Sequence, residues 1–151
     1  MRDWNHMRSL LVVRLDGMGD LLMTTPALRA LKERAPARRL TLLTSAAGAI
    51  VGRHLPYIDA VMVYAAPWAK NAVASTTAAN VAVLETLRAA RYDGAIIFTV
   101  CTQSALPSAL MLLLAGVHRR LAYARQNPYA LLTDWHPDPD LDVRDGCVTK
   151  S

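Results

Sequence analysis

Residues 10–20 read LLVVRLDGMGD, an apolar run that breaks into a segment with two glycines and two aspartates. The apolar part has the length and the Leu/Val content of a buried parallel strand, and a helical pattern follows directly. A strand, a short turn and a helix in this order begin a βαβ unit, and α/β proteins bind ligands at such turns. We therefore predict a functional site in this turn, with Asp20 at the start of the helix.

Strand and helix patterns alternate along the rest of the chain. We predict strands at 9–14, 40–44, 60–64, 94–100 and 120–123, and helices at 20–34, 46–54, 77–91 and 104–115. This alternation predicts parallel pairing and right-handed crossovers, and so an α/β fold with a Rossmann-like, doubly wound sheet of about five strands. Pro26 predicts either a kink in the first helix or a regular helix that begins there, with Thr25 as N-cap.

The chain of 151 residues has the length of one domain. We expect a Rossmann-like domain over residues 8–127 and a linker-like or frayed tail over residues 128–151, where prolines and aspartates replace the apolar periodicity. A doubly wound domain that ends in a linker suggests that a further domain should follow it.

Composition limits the class of protein and its partners. Hydrophobic residues make up 53% and charged residues 19%, as in globular proteins, and the net charge of +5 favours anionic partners. Aromatic residues are only 6%, and no nucleic-acid motif is present, so we expect no nucleic-acid partner. Cys101 and Cys147 lack the spacing of a metal site or a disulfide framework, which favours a reducing cytosol. We expect no metal and no cofactor.

The turn and its surroundings resemble the N-terminal domain of glycosyltransferase family 9, the heptosyltransferases that build the inner core of lipopolysaccharide. The resemblance rests on residues 11–14, 16–20, 21–22, 25–32, Pro36 and 40–43. Weaker matches follow at residues 92–93, 103–104, 115–116 and 119–123. The Gly-Met-Gly-Asp segment with its downstream proline is the most specific part.

The resemblance implies the N-terminal half of a GT-B enzyme, in which two Rossmann-like domains face each other across a cleft. In such bacterial enzymes the N-terminal domain binds the acceptor, and the C-terminal domain binds the nucleotide-sugar. The implied reaction is inverting transfer of heptose from a donor such as ADP-heptose to the lipopolysaccharide inner core, a lipid-linked saccharide. The donor domain is absent from this sequence, so we expect an acceptor-binding half that is inactive by itself.

The resemblance also implies a cytoplasmic protein with peripheral contact at the inner membrane. A basic cluster near the end of the first helix, which includes Lys32 and Arg38, is consistent with an anionic membrane surface. The alternative is a non-catalytic, small α/β module that regulates or that binds an anion or a nucleotide. A response-regulator receiver would need an aspartate at the end of the third strand, which instead ends Met62-Val63-Tyr64.

Asp20 is the candidate catalytic residue. Inverting glycosyl transfer needs a base near the acceptor hydroxyl, and a carboxylate suits this role. By resemblance, Asp20 matches the family's proposed base. The competing interpretation is a helix-capping aspartate.

Nine further residues are candidates for acceptor binding. They are Arg14, Asp16, Gly17, Met18, Gly19, Trp68, Lys70, Gln103 and Ser104. Arg14 could hold a phosphate or a sugar acid, or pair with a neighbour such as Asp16. Asp16 could face the acceptor or form an Asx turn before Gly17, and we favour the Asx turn.

The other candidates also have plainer interpretations. Gly17 and Gly19 would serve the connection between strand and helix. Trp68 and Lys70 combine an aromatic face with a cation, although an exposed loop with a solvated lysine is the commoner arrangement. Gln103 and Ser104 could donate hydrogen bonds to the acceptor, but Ser104 also suits a helix N-cap, which we slightly prefer.

Overall fold

A computed structural model describes residues 4–70, 72, 74–100 and 102–138 of the chain. It contains a sheet of six parallel strands: β1 (Ser9–Arg14), β2 (Arg39–Thr44), β3 (Ala60–Val63), β4 (Gly94–Ile97), β5 (Arg119–Ala124) and β6 (Asp134–Pro137). The α-helices are α1 (Met18–Arg34), α2 (Ala46–Gly52), α3 (Thr77–Ala90) and α4 (Leu106–Leu114). The strand order β3-β2-β1-β4-β5-β6 is that of a doubly wound Rossmann-like sheet, so the predicted fold class is confirmed.

β1 lies at the centre of the sheet, between β2 and β4. Alternate side chains of a strand point to opposite faces, and both faces of β1 are buried. Val12 packs with Leu21, Leu28 and Leu42 beneath α1, whereas Leu11 and Val13 join the larger core on the other face. Burial on both faces explains why β1 is apolar throughout rather than alternating.

α1 begins two residues before the predicted start and passes through Pro26 without ending. A proline inside a helix removes one N–H and leaves the carbonyl four residues earlier without its partner. Here that carbonyl belongs to Leu22, and the Thr25 hydroxyl donates to it at 2.8 Å. The interpretation in which a regular helix starts at Pro26 is therefore wrong, because α1 already begins at Met18. Within this helix, the Thr25 hydroxyl takes the place of the missing N–H donor.

A sixth strand lies in the segment that we expected to be linker-like. β6 pairs with β5, and Trp135 Nε1 donates to the Ala124 carbonyl at 2.9 Å. Arg119 Nη2 also lies 2.9 Å from Asp134 Oδ1. The expected count of about five strands is therefore one too low. Residues 139–151 of the tail, Cys101 and Cys147 lie outside the described residues.

Part of the basic cluster at the end of α1 holds the fold together. Arg38 is only 3% exposed, and its guanidinium donates to the carbonyls of Met7, Leu31 and Trp4. Lys32 Nζ lies 2.8 Å from Asp59 Oδ2. Arg38 and Lys32 therefore form contacts within the chain, and these contacts explain their place in the basic cluster. Among the described helices, none is long and apolar enough to cross a membrane.

Candidate functional site

Loops at the carboxyl edge of the sheet line an open cavity of about 1390 Å³. The loops follow β1 to β5, Asp138 after β6 also contributes, and the cavity spans the point between β1 and β4 where the strand order reverses. Ligands of open α/β sheets bind in this position. Six of the ten predicted site residues line it, namely Asp16, Gly17, Asp20, Lys70, Gln103 and Ser104.

The turn after β1 does not require glycine for its backbone conformation. Gly17 is the N-cap of α1 with φ −73°, and Gly19 also lies outside the left-handed region. A Cβ built at Gly19 meets no described atom within 4 Å, and one built at Gly17 meets only Asp20 Oδ2 at 3.8 Å. The connection itself therefore does not need glycine at either position, and of the two glycines only Gly17 lines the cavity.

Ser45 fixes the position of this turn. Its hydroxyl donates to the Asp16 carbonyl at 2.7 Å and accepts from the N–H of Gly48 at 3.1 Å, as the N-cap of α2. One side chain thus joins the turn after β1 to the start of α2. Ser45 was not among the predicted site residues, although a serine between a strand and a helix is a recognised N-cap signal.

Asp20 lies in the first turn of α1 with its side chain 41% exposed. It is not the N-cap, and no side-chain hydrogen bond caps this helix, so the capping interpretation of Asp20 is wrong. Its Oδ1 lies 3.5 Å from Nη2 of Arg14. The positive end of the α1 dipole favours a negative charge at this position.

Arg14 and Asp16 form a buried ion pair beneath the cavity. Arg14 Nη1 lies 3.4 Å from Asp16 Oδ2, and the two side chains are 8% and 4% exposed. Neither carboxylate oxygen of Asp16 accepts a hydrogen bond from the described residues, so the Asx turn that we favoured is not formed. Of the two roles predicted for Arg14, the structure shows pairing with acidic neighbours, namely Asp16 and Asp20.

The pKa of the Asp16 carboxyl is raised above its ordinary value. Burial is the main cause, and the negative charge of Asp20 adds to it. The Arg14 charge and the Gln103 side chain act in the opposite direction without reversing the shift.

Trp68 anchors the loop that follows β3. It is half-buried against the core, its Nε1 donates to Ser108 Oγ at 3.2 Å, and its ring lies edge-on to Tyr64 at 5.8 Å. Lys70, two residues further on, is exposed and lines the cavity. Trp68 therefore packs against the core, whereas Lys70 faces the cavity, so only the lysine can contact a ligand there. Trp68, Arg14, Met18 and Gly19 are not among the residues that line the cavity.

Gln103 and Ser104 line the cavity from the loop after β4. Ser104 Oγ accepts from the N–H of Leu106 at 3.2 Å, just before α4, whose N-cap is Ala105. Ser104 is therefore not the N-cap that we slightly preferred. It lies one residue earlier, and its hydroxyl accepts a hydrogen bond from the first residue of α4. The part of the chain that the structure describes contains no group of His, Cys, Asp or Glu side chains arranged to hold a metal ion.

Comparison with known proteins identifies similar structures at low sequence identity. No family model and no curated protein matches the sequence. The E. coli ADP-heptose lipopolysaccharide heptosyltransferase II superposes on 89% of this chain with a TM-score of 0.66 and 22% identity. A glycosyl transferase family 9 protein from Veillonella parvula superposes on 91%, with a TM-score of 0.61 and 19% identity.

The fold is that of the family 9 structures. The E. coli heptosyltransferase WaaC, solved with ADP, is also similar, with a TM-score of 0.61 and 25% identity over 85% of this chain. The resemblance drawn from the sequence is thus confirmed in the fold. The chain spans only 35%, 37% and 41% of the lengths of these three proteins.

Proposed function

We propose that this chain is the acceptor-binding half of an inverting glycosyltransferase, with Asp20 as the base. The observation that carries the proposal is the Asp20 carboxylate, which is exposed in the cavity at the carboxyl edge of β1 and held from below by Arg14. A half-exposed carboxylate in this place can reach a bound hydroxyl and return its proton to water.

The chemistry needs a proton acceptor and a fixed geometry. As the acceptor oxygen attacks the anomeric carbon, its proton passes to Asp20, and the nucleotide leaves from the opposite face of the sugar. The resulting C–O bond replaces the bond to the leaving phosphate, with inversion at that carbon. Alignment of the reacting groups supplies much of the rate, which is the role of a cavity on a rigid sheet.

We propose heptose, carried by ADP, as the sugar and a lipopolysaccharide core saccharide as the acceptor. The similar structures named as ADP-heptose heptosyltransferases support this choice of donor. Three aspartates line the cavity, but exposed Lys70 and Arg125, from the loops after β3 and β5, bring positive charge to it and suit the acidic groups of a saccharide. A lipid-linked acceptor would place the protein at the cytoplasmic face of the inner membrane by peripheral contact.

The remaining candidates have two roles in this proposal. Asp16, Gly17, Gln103 and Ser104 line the cavity and would contact the acceptor directly. Exposed Met18 and the adjacent Gly19 lie outside the cavity lining, and we propose that they contact parts of the acceptor that extend beyond it. Arg14 and Trp68 act indirectly, since Arg14 holds the carboxylates and Trp68 holds the loop that carries Lys70.

The test is the substitution Asp20→Asn in this chain joined to the donor-binding half of a heptosyltransferase. The amide keeps the shape but cannot take the proton, so kcat should fall about 100-fold or more while the KM for acceptor changes little. Product is followed by mass spectrometry with ADP-heptose and a core acceptor. Glu33→Gln, on the exposed surface of the same helix, removes an equal charge and should leave turnover unchanged. Turnover of Asp20→Asn at the wild-type rate would rule out the base.

A further inference from the structure

Tyr123 near the end of β5 points away from the larger core. Its neighbours Ala122 and Ala124 are buried in that core, together with residues of α3 and α4. Because successive side chains of a strand point to opposite faces, Tyr123 lies on the face of the sheet that carries α1. It is 62% exposed there. A single exposed aromatic residue is common on protein surfaces, but this ring also lines the cavity at the carboxyl edge.

A second ring supports Tyr123 from the neighbouring strand. His136 of β6 is the register partner of Tyr123, and the two ring centres lie 5.4 Å apart with their planes at 38°. Beside this pair, Trp135 Nε1 donates to the Ala124 carbonyl and ties the ends of the two strands together. The Tyr123 ring is therefore presented by paired strands rather than by a loop, and its orientation is set before a ligand binds.

The cavity also contains a tyrosine that the fold itself uses. Tyr64 is buried, and its hydroxyl donates to Asn80 Oδ1 at 2.5 Å. The Tyr123 hydroxyl makes no hydrogen bond within the part of the chain that the structure describes. Both the ring and the hydroxyl of Tyr123 are thus open to a ligand in the cavity.

A sugar ring matches this arrangement. The C–H groups on one side of the ring form a flat apolar surface that packs on an aromatic face, and the hydroxyls at its edge still form hydrogen bonds. Arg125, two residues after Tyr123, lines the same cavity and suits an acidic group of the saccharide. We infer that Tyr123 is the platform on which one sugar ring of the acceptor stacks. The inference rests on the proposed function, because it takes the ligand of this cavity to be a saccharide.

Calorimetric titration of the 151-residue chain with a deacylated lipopolysaccharide core oligosaccharide tests this role. Tyr123→Leu keeps an apolar side chain but removes the flat ring, so the Kd should rise about 10-fold. Tyr123→Phe loses only the hydroxyl, and its Kd should rise no more than about 3-fold. The matched control is Tyr129→Leu, since Tyr129 is 83% exposed and is not among the residues that line the cavity. Its Kd should equal that of the wild type.

Proton NMR of the bound oligosaccharide detects the stacking itself. The ring current of Tyr123 should move the protons of one sugar ring upfield in the wild type and in Tyr123→Phe. The upfield shift should disappear in Tyr123→Leu. A merely structural role for Tyr123 predicts no such shift in any of the three proteins.

Equal Kd values for the wild type and Tyr123→Leu, or an upfield shift that persists in Tyr123→Leu, overturn the inference and leave the proposed function standing. A Tyr123→Leu variant that binds ADP more weakly and the oligosaccharide normally assigns the ring to a nucleotide base, and this also overturns the inference. A wild type that binds no oligosaccharide removes the proposed function and the inference together. If Tyr123→Leu does not fold, the absence of the upfield shift in the wild type and Tyr123→Phe overturns the inference.

Discussion

Asp59 and Asp16 both lie beside a cation, but their surroundings move the carboxyl pKa in opposite directions. Burial raises the pKa of Asp59, but hydrogen bonds from Lys32 Nζ and from the N–H of Leu40 outweigh it, and the pKa is lowered. Those bonds to Asp59 Oδ2 measure 2.8 and 2.7 Å. For Asp16 the Arg14 charge and the Gln103 side chain lower the pKa, but its burial prevails. The deeper burial of Asp16 and the two hydrogen bonds to Asp59 therefore separate the two cases.

Asp59→Asn should therefore lower stability in a pH-dependent way. Because the folded-state pKa lies below the unfolded value of about 3.9, the ionised carboxylate stabilises the fold above that pH, and its contribution disappears as the pH falls through the folded-state pKa. We expect a loss of about 1 kcal/mol in the free energy of unfolding at pH 7, since solvent screens a partly exposed pair, and a smaller loss at about pH 2. Urea unfolding followed by circular dichroism measures both.

The matched control is Glu85→Gln, which breaks an exposed pair with Arg88. Exposed pairs contribute little, so its effect should stay below about 0.5 kcal/mol at either pH. A deficit in Asp59→Asn that is equally large in acid would contradict the argument.

At the scale of elements, Gly19 in α1 and Gly48 in α2 occupy similar places near the start of a helix but differ in packing. A Cβ at Gly19 meets no described atom within 4 Å. A Cβ at Gly48 would lie 2.0 Å from Thr44 Oγ1, because α2 starts close against the end of β2. Only Gly48 is therefore needed for packing, whereas a side chain at Gly19 would meet open space.

Alanine at these two positions should have opposite effects on stability. Gly19→Ala should raise the free energy of unfolding by about 0.5 kcal/mol, because alanine loses less entropy in a helix. Gly48→Ala should lower it by about 1–3 kcal/mol, because the buried, β-branched Thr44 has few rotamers with which to avoid the clash. Thermal unfolding of the two variants beside the wild type gives the comparison. Equal shifts of the same sign would show that helix propensity, not packing, governs both sites.

At the scale of the molecule, the sheet brings residues from distant parts of the chain to one cavity. Lys70 follows β3 and Arg125 follows β5, so these cations enter from opposite sides of the central strand β1. Asp20 lies between them, at the point where the strand order reverses. This domain corresponds to less than half the length of the heptosyltransferases that it resembles.

We expect the 151-residue chain alone to catalyse no sugar transfer. The reaction needs the donor's anomeric carbon held in line with the acceptor hydroxyl, and our proposal assigns donor binding to a second domain. The purified chain is incubated with ADP-heptose and a core acceptor, and product is followed by mass spectrometry. The same chain joined to a donor-binding half is the positive control. Repeated turnover by the chain alone at about 1 per second or more would contradict the proposal.

Much of the local structure could be predicted from the sequence. The bounds of β1 are the predicted residues 9–14, and Gly116, which directly follows the helix predicted at 104–115, has φ +76° and ends the helical segment. Its neighbour Val117 donates to the Leu112 carbonyl, which closes the helix end. The placement of Asp20 after β1, at the carboxyl edge of the sheet, also follows from the order of strand, turn and helix. Such features depend on residues that are close along the chain, so hydrophobic periodicity and turn-forming residues are enough to predict them.

Only the tertiary structure decided which polar groups are buried and what they contact. Arg14 and Arg38 are equally basic in the sequence, yet one lies between two carboxylates and the other holds three backbone carbonyls. β6 is a strand because β5 offers it an open edge and Trp135 reaches Ala124, although its own four residues carry little strand signal. These outcomes depend on partners that are distant in the chain, and local patterns do not record which partner the fold supplies. The sequence by itself therefore determined the Rossmann-like fold class and the place of the candidate site, whereas packing determined which charged side chains there are buried and which are paired.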